Sequence, residues 1–166
     1  MSDAGKLKRL AVLLGMLSIL PAAACAQGMM DGRGMMNGGM MNGGMMNGSS
    51  PRHVYFMRHG LPEKYANMAN PLPASAKNID AGKALYGQMC ASCHGPAGRG
   101  DGAAGRALNP PPSDLARTVR MRMGSDGYLY WSIAEGGAAF SSAMPAMGGS
   151  WKPEQIWQVI LYLRTF

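Results

Sequence analysis

The sequence predicts an all-α domain in the C-terminal half of the chain, preceded by an N-terminal extension of different character. Three observations carry this. Tyr86, Met89, Cys90 and Cys93 follow the i, i+3, i+4, i+7 spacing of one helical face, and Ile156, Val159, Ile160 and Leu163 repeat it. Between them, Ser125 is placed to cap a helix through Tyr128, Leu129, Trp131, Ser132 and Ile133 that stops at Gly136-Gly137. Nothing around residue 90 reads as a strand.

The chain has 166 residues, enough for one domain with appendages. Its formal charge is +7, and its 24 glycines and 17 methionines are unevenly spread. Residues 1–26 read as an export signal: Lys6, Lys8 and Arg9, then the apolar run Leu10–Leu20, then small residues. The run is shorter than the roughly 20 residues that span a bilayer. Ala24-Cys25-Ala26 fits cleavage before Gln27. Alternatively, Ala22-Ala23-Ala24-Cys25 reads as a lipobox, departing from the usual pattern at Ala22, with a lipidated Cys25 as a membrane tether. Either way the expected location is the bacterial periplasm, soluble or lipid-anchored. Loss of Lys6, Lys8, Arg9 and Asp3 takes two from the charge and leaves +5. That mild excess suits a redox protein partner with an acidic docking surface. The basic residues lack the aromatic interleaving of a nucleic-acid surface.

Residues 27–50 are a low-complexity tract in which Met35-Met36-Asn37-Gly38-Gly39 recurs at a five-residue period. Glycine at this density predicts a flexible tether. Its eight methionines between Met29 and Met46 also suit soft-metal capture, Cu(I) above all. Residues 51–77 carry Pro51, Pro62, Pro71 and Pro73, and so predict a proline-punctuated loop. Val54, Tyr55 and Phe56 would pack this arm on the following domain. His53, Met57 and His59 within it are spare metal or axial ligands.

The domain proper is expected over residues 78–166. Asn78 is the expected N-cap, with Asp80 in the first turn, of a helix that runs on to deliver Cys90 and Cys93 to a face covered by Tyr86 and Met89. Cys90-Ala91-Ser92-Cys93-His94 is the pattern of covalent c-type haem attachment. Thiols three residues apart lie about one helical turn apart, within reach of one edge of the ring, and His94 then falls beneath the iron. A dithiol switch wants a strand–helix–strand setting. A structural zinc site wants four ligands, with only His53 and His59 left to complete it.

Gly95–Gly102 is turn chemistry, rich enough in glycine for backbone to pass close to a flat ring. Asn109-Pro110-Pro111-Pro112 is a rigid stretch that can present a carbonyl to the free imidazole nitrogen of His94. Arg106, Arg117, Arg120 and Arg122 are candidates for a docking rim. In the loop Ser141–Gly149, Met144 is the expected sixth iron ligand, because Pro145 restricts it to an extended shape. Met147 is the alternative axial ligand. Pro153 suits the first turn of the last helix.

With Cys90-x-x-Cys93-His94, Met144-Pro145 fifty residues on, and a final aromatic helix, residues 78–166 resemble a class I c-type cytochrome. The resemblance implies a small helical domain around a single covalent haem c, its first and last helices crossing. Gly82 and Tyr86 would sit at that crossing, opposite Trp157 or Tyr162. It implies Cys90 and Cys93 as thioether attachments, His94 and Met144 as axial ligands, and an electron carrier, not an enzyme, alone or as a subunit of a larger complex. Two other readings are a sensor or peroxidase-like enzyme with an open sixth site, and a copper-handling haem protein.

Overall fold

The computed structural model describes residues 50–166. The expected signal at 1–26, Cys25 and almost all of the methionine-rich tract lie outside the described residues. Those described fold as helices joined by loops, with no strand among them.

Helix α1 (Pro51–His59) replaces the expected loop. Pro51 occupies the first turn, where its missing N–H has no helical partner to lose, and the Ser50 hydroxyl accepts the His53 N–H. The proline that was read as a breaker therefore starts the helix. Helix α2 (Glu63–Ala66) follows Pro62.

Helix α3 (Ala76–Met89) is capped at Ser75, three residues before the expected cap Asn78. Ser75 has extended backbone, and its hydroxyl accepts the Asn78 N–H at 3.3 Å. Asn78 is engaged elsewhere: its amide nitrogen donates to the Pro73 carbonyl, and its amide oxygen accepts from Gln158. Asp80 accordingly falls in the second turn. The helix also does not run through the cysteines. It ends at Met89, the chain unwinds at Cys90 (φ −111°, ψ −39°), and a separate turn, α4 (Ala91–His94), carries Cys93 and His94. Met89 is exposed rather than covering a buried face.

Helix α5 (Leu115–Thr118) is capped by Asp114, whose carboxylate accepts the Arg117 N–H. Helix α6 (Asp126–Glu135) starts at Ser125 and stops at Gly136, as its punctuation predicts. Helix α7 (Pro153–Leu163) has Pro153 in its first turn and buries Ile156, Val159, Ile160 and Leu163.

The core lies where α3 and α7 cross, the largest helix–helix interface. At Gly82 the helices touch through backbone: a side chain there would overlap the Gln158 carbonyl. Next to it, Tyr86 is 2% exposed and meets Tyr162 at 5.3 Å and Phe166 at 5.4 Å. Of the two aromatics expected opposite Tyr86, Tyr162 takes that place. Trp157 packs at a tilt against Tyr130 instead, at 4.4 Å. On the other side of α6, Phe56 packs edge-on against Tyr128, and Tyr65 hydrogen-bonds the Glu135 carboxylate. Residues 51–66 are thereby fastened to α6 at both of its ends.

Candidate functional site

Cys90, Cys93 and His94 are brought together by backbone bonds. The Cys93 and His94 N–H groups both donate to the Cys90 carbonyl, at 3.2 and 2.8 Å, and the Cys90 N–H donates to Tyr86 at 2.8 Å. The Tyr86 hydroxyl reaches past this turn to donate to the Gly95 carbonyl at 2.6 Å, so the buried end of α3 closes the turn from below. Both thiols are half-buried and unpaired. Burial, and secondarily the charge on Cys93, pushes the Cys90 thiol up to about 11.

The glycine loop packs against this turn. Gly100 and Gly102 donate their N–H groups to the carbonyls of His94 and Cys93, at 2.8 and 3.1 Å. A side chain at Gly102 would overlap the Ser92 and Cys93 carbonyls. The close approach expected toward a flat ring is thus also an approach to backbone.

His94 Nδ1 lies 2.9 Å from the Ser113 carbonyl. A carbonyl only accepts, so Nδ1 carries the proton and the lone pair lies on Nε2. Burial lowers the imidazole pKa and so favours the neutral ring, opposed in part by this bond. The carbonyl comes from the residue after the prolines, not from Asn109–Pro112.

The two methionines differ in setting. Met147 belongs to the core, 7% exposed, and its N–H donates to the Ile133 carbonyl at 3.0 Å. Met144 is half-buried at the edge of the same core, as is Cys90. Its carbonyl accepts the Gly137 N–H at 2.7 Å, and its N–H reaches the Ser142 hydroxyl at 3.4 Å. Met144 is therefore the less enclosed of the two residues.

Two free thiols, a neutral imidazole with one nitrogen held, and a thioether in a backbone-pinned loop make a donor set that fits a c-type haem. His53, Met57 and His59 lie on α1, apart from this turn in the chain, and no group of three or more His, Cys, Asp or Glu residues that could hold a metal ion exists among the described residues. Beside Ser113 lies a cleft of 550 Å³ lined by Arg99, Arg117, Arg120 and Asp114, with Phe166 in its wall. Arg106 and Arg122 do not line it. One residue without a sequence signal is Arg52: a lone arginine in a helix start reads as solvated, yet it is the one buried charged side chain among the described residues.

The chain is 32% identical over 104 residues to quinohemoprotein alcohol dehydrogenase ADH IIB of Pseudomonas putida, covering 63% of this chain. It spans only 13% of that relative's length. Among solved structures it is similar to the reducing HAO-like protein complex of Kuenenia stuttgartiensis. That match has TM-score 0.51 and 22% identity, over 67% of this chain and 53% of the other. It also matches cytochrome CL of Methylophaga aminisulfidivorans, with TM-score 0.38 and 18% identity over 68% and 65% of the two chains. Residues 77–163, more than half of the chain, match the family described as cytochrome c oxidase, cbb3-type, subunit III. The chain belongs to that family: it is a class I c-type cytochrome, a haem c protein of electron transfer.

Proposed function

We propose that this protein is an exported monohaem cytochrome that passes single electrons between redox partners. Cys90 and Cys93 are the thioether attachments, and His94 and Met144 the axial ligands. The observation that carries this reading is the His94–Ser113 bond, which leaves Nε2 as the free donor beside two unpaired thiols. The haem supplies one-electron chemistry at iron, at a potential raised by thioether ligation. Around it, Ser113 orients the imidazole, Tyr86 and the glycine loop brace the turn, and the Gly137–Met144 bond fixes the opposite loop.

The basic cleft of Arg99, Arg117 and Arg120 supports docking to an acidic redox partner near the histidine side of the site. One relative is a dehydrogenase by name, which supports an oxidoreductase as the electron donor or as the larger assembly. Residues 78–166 would be the cytochrome domain, 51–77 its arm, 27–50 a tether and 1–26 the export signal.

The test is carbon monoxide addition to the reduced protein beside Met144→Ala. Exclusion of the gas by wild type, with binding by the variant, is the expected result. Ready binding by wild type would mean an open sixth position and a sensor or enzyme in place of a carrier.

A further inference from the structure

Arg52 lies outside the segment that matches the family, on α1, and is 8% exposed. Its guanidinium carbon sits 4.2 Å from the Trp131 ring centroid and 4.5 Å from that of Phe140. Nη2 donates to the Gly136 carbonyl, whereas Nη1 is buried with no partner among the described residues. The nearest carboxylate on α6, Glu135, is engaged by Lys64 and Tyr65 instead. Cation–π contacts, one hydrogen bond, the negative end of α6 and the field of Glu135, with which Arg52 makes no direct bond, offset the burial of a full charge. An apolar side chain of similar length would fill the same space without that desolvation, so stability alone is a poor account of an arginine here.

The partners of the guanidinium give a better one. Gly136 ends α6 at φ +62°, and the next residue, Gly137, donates to the Met144 carbonyl. The Gly137 carbonyl accepts from Phe140 and Ser142 at 2.8 and 3.0 Å. Phe140 itself lies in the short 3-10 turn Ala138–Phe140. Arg52 therefore touches the helix end and the middle of the loop that leads to Met144. On that side runs a cleft of 290 Å³ bordered by Tyr55, Pro62 and Ala139, and the guanidinium backs the loop there beside Tyr55, whose ring lies 5.5 Å from that of Phe140.

We propose that Arg52 is a positioning residue for the sixth iron ligand: docked from α1 between Trp131 and Phe140, it holds the Gly136–Gly137 turn from which the Met144 loop is hung. This rests on Met144 being that ligand. The arm is then part of the redox site, a brace that keeps the iron closed and its potential high.

The experiment compares wild type, Met144→Ala, Arg52→Met, Arg52→Lys and Tyr65→Phe as full-length holoproteins. Carbon monoxide uptake by the reduced forms and the reduction potential are read alongside melting temperature. Arg52→Met is expected to take up the gas about tenfold to a hundredfold faster than wild type, the span for a lost charged hydrogen bond, with a lowered potential. Arg52→Lys, which keeps the charge but loses the fork, is expected to lie between. Tyr65→Phe loosens the far end of the arm and should lower melting temperature with the iron still closed. A folded Arg52→Met protein as closed as wild type, beside an open Met144→Ala, overturns this proposal alone. If Arg52→Met fails to fold, a closed Arg52→Lys overturns it. Opening by Tyr65→Phe to the same degree would reduce Arg52 to general arm adhesion and overturn it too. A closed Met144→Ala removes the ligand reading and this proposal with it.

Discussion

Ser113 enters the chemistry through its carbonyl alone, so its side chain carries no trace of the role. Cys90, Cys93 and His94 are legible in the sequence because side-chain type and spacing are the chemistry. The acceptor for His94 is not, since every residue owns a carbonyl and only the path of the chain decides which one arrives. The same holds for Arg52, whose role depends on two rings more than 75 positions away in the chain. The methionines separate by burial, and that separation is testable. Met147→Ala removes a core side chain and should cost about 2–4 kcal/mol of stability, measured by denaturant unfolding, with the iron still closed to carbon monoxide. Met144→Ala should do the reverse, opening the iron at small cost in stability. A Met147→Ala protein that opened the iron while Met144→Ala stayed closed would exchange their roles.

At the scale of elements, the sequence placed α6 and α7 well because caps and periodicity agree there. Ser125 and Gly136 punctuate α6, and Pro153 starts a stripe that is buried almost completely. It misplaced α3 at both ends for local reasons. Ser75 outcompetes Asn78 as cap because the Asn78 amide is drawn into a bond with nearby Pro73 and another with Gln158 of α7. The far end stops at Cys90 because the Cys93 and His94 N–H groups converge on one carbonyl, tightening the turn away from the helix axis. Periodicity reports which residues share a face but not where a helix kinks. The crossing itself predicts a large effect from a small change. Gly82→Ala would drive a methyl into the Gln158 carbonyl and should destabilise the domain by about 3 kcal/mol, seen as a lower midpoint in chemical denaturation. Gly87, with open space about it, should tolerate alanine. Equal effects at the two glycines would mean that the helices do not meet at Gly82.

For the whole molecule, the arm is fastened to α6 partly by charge, which makes its docking sensitive to acid. The Lys64 ammonium, then the Tyr65 hydroxyl, hold the Glu135 carboxyl below its ordinary value of 4.5. A depressed carboxyl contributes stability that is fully present above the ordinary value and is lost as pH falls through the lowered one. Both side chains of the ion pair are largely exposed, so the effect is modest and weakened by salt. Melting temperature followed from neutral pH down to about pH 3 should fall further for wild type than for Glu135→Gln. Parallel curves would show that the carboxylate does not contribute. The α3–α7 crossing, finally, imposes an order in time. A chain made from its N-terminus exposes Cys90 and Cys93 long before the 11 residues of α7 exist. Until they arrive, Gly82 and Tyr86 lack the Gln158 backbone and the Tyr162 ring they lie against. Tyr86 also holds the Gly95 carbonyl, so docking of the last helix against that ring tightens the turn that carries both thiols.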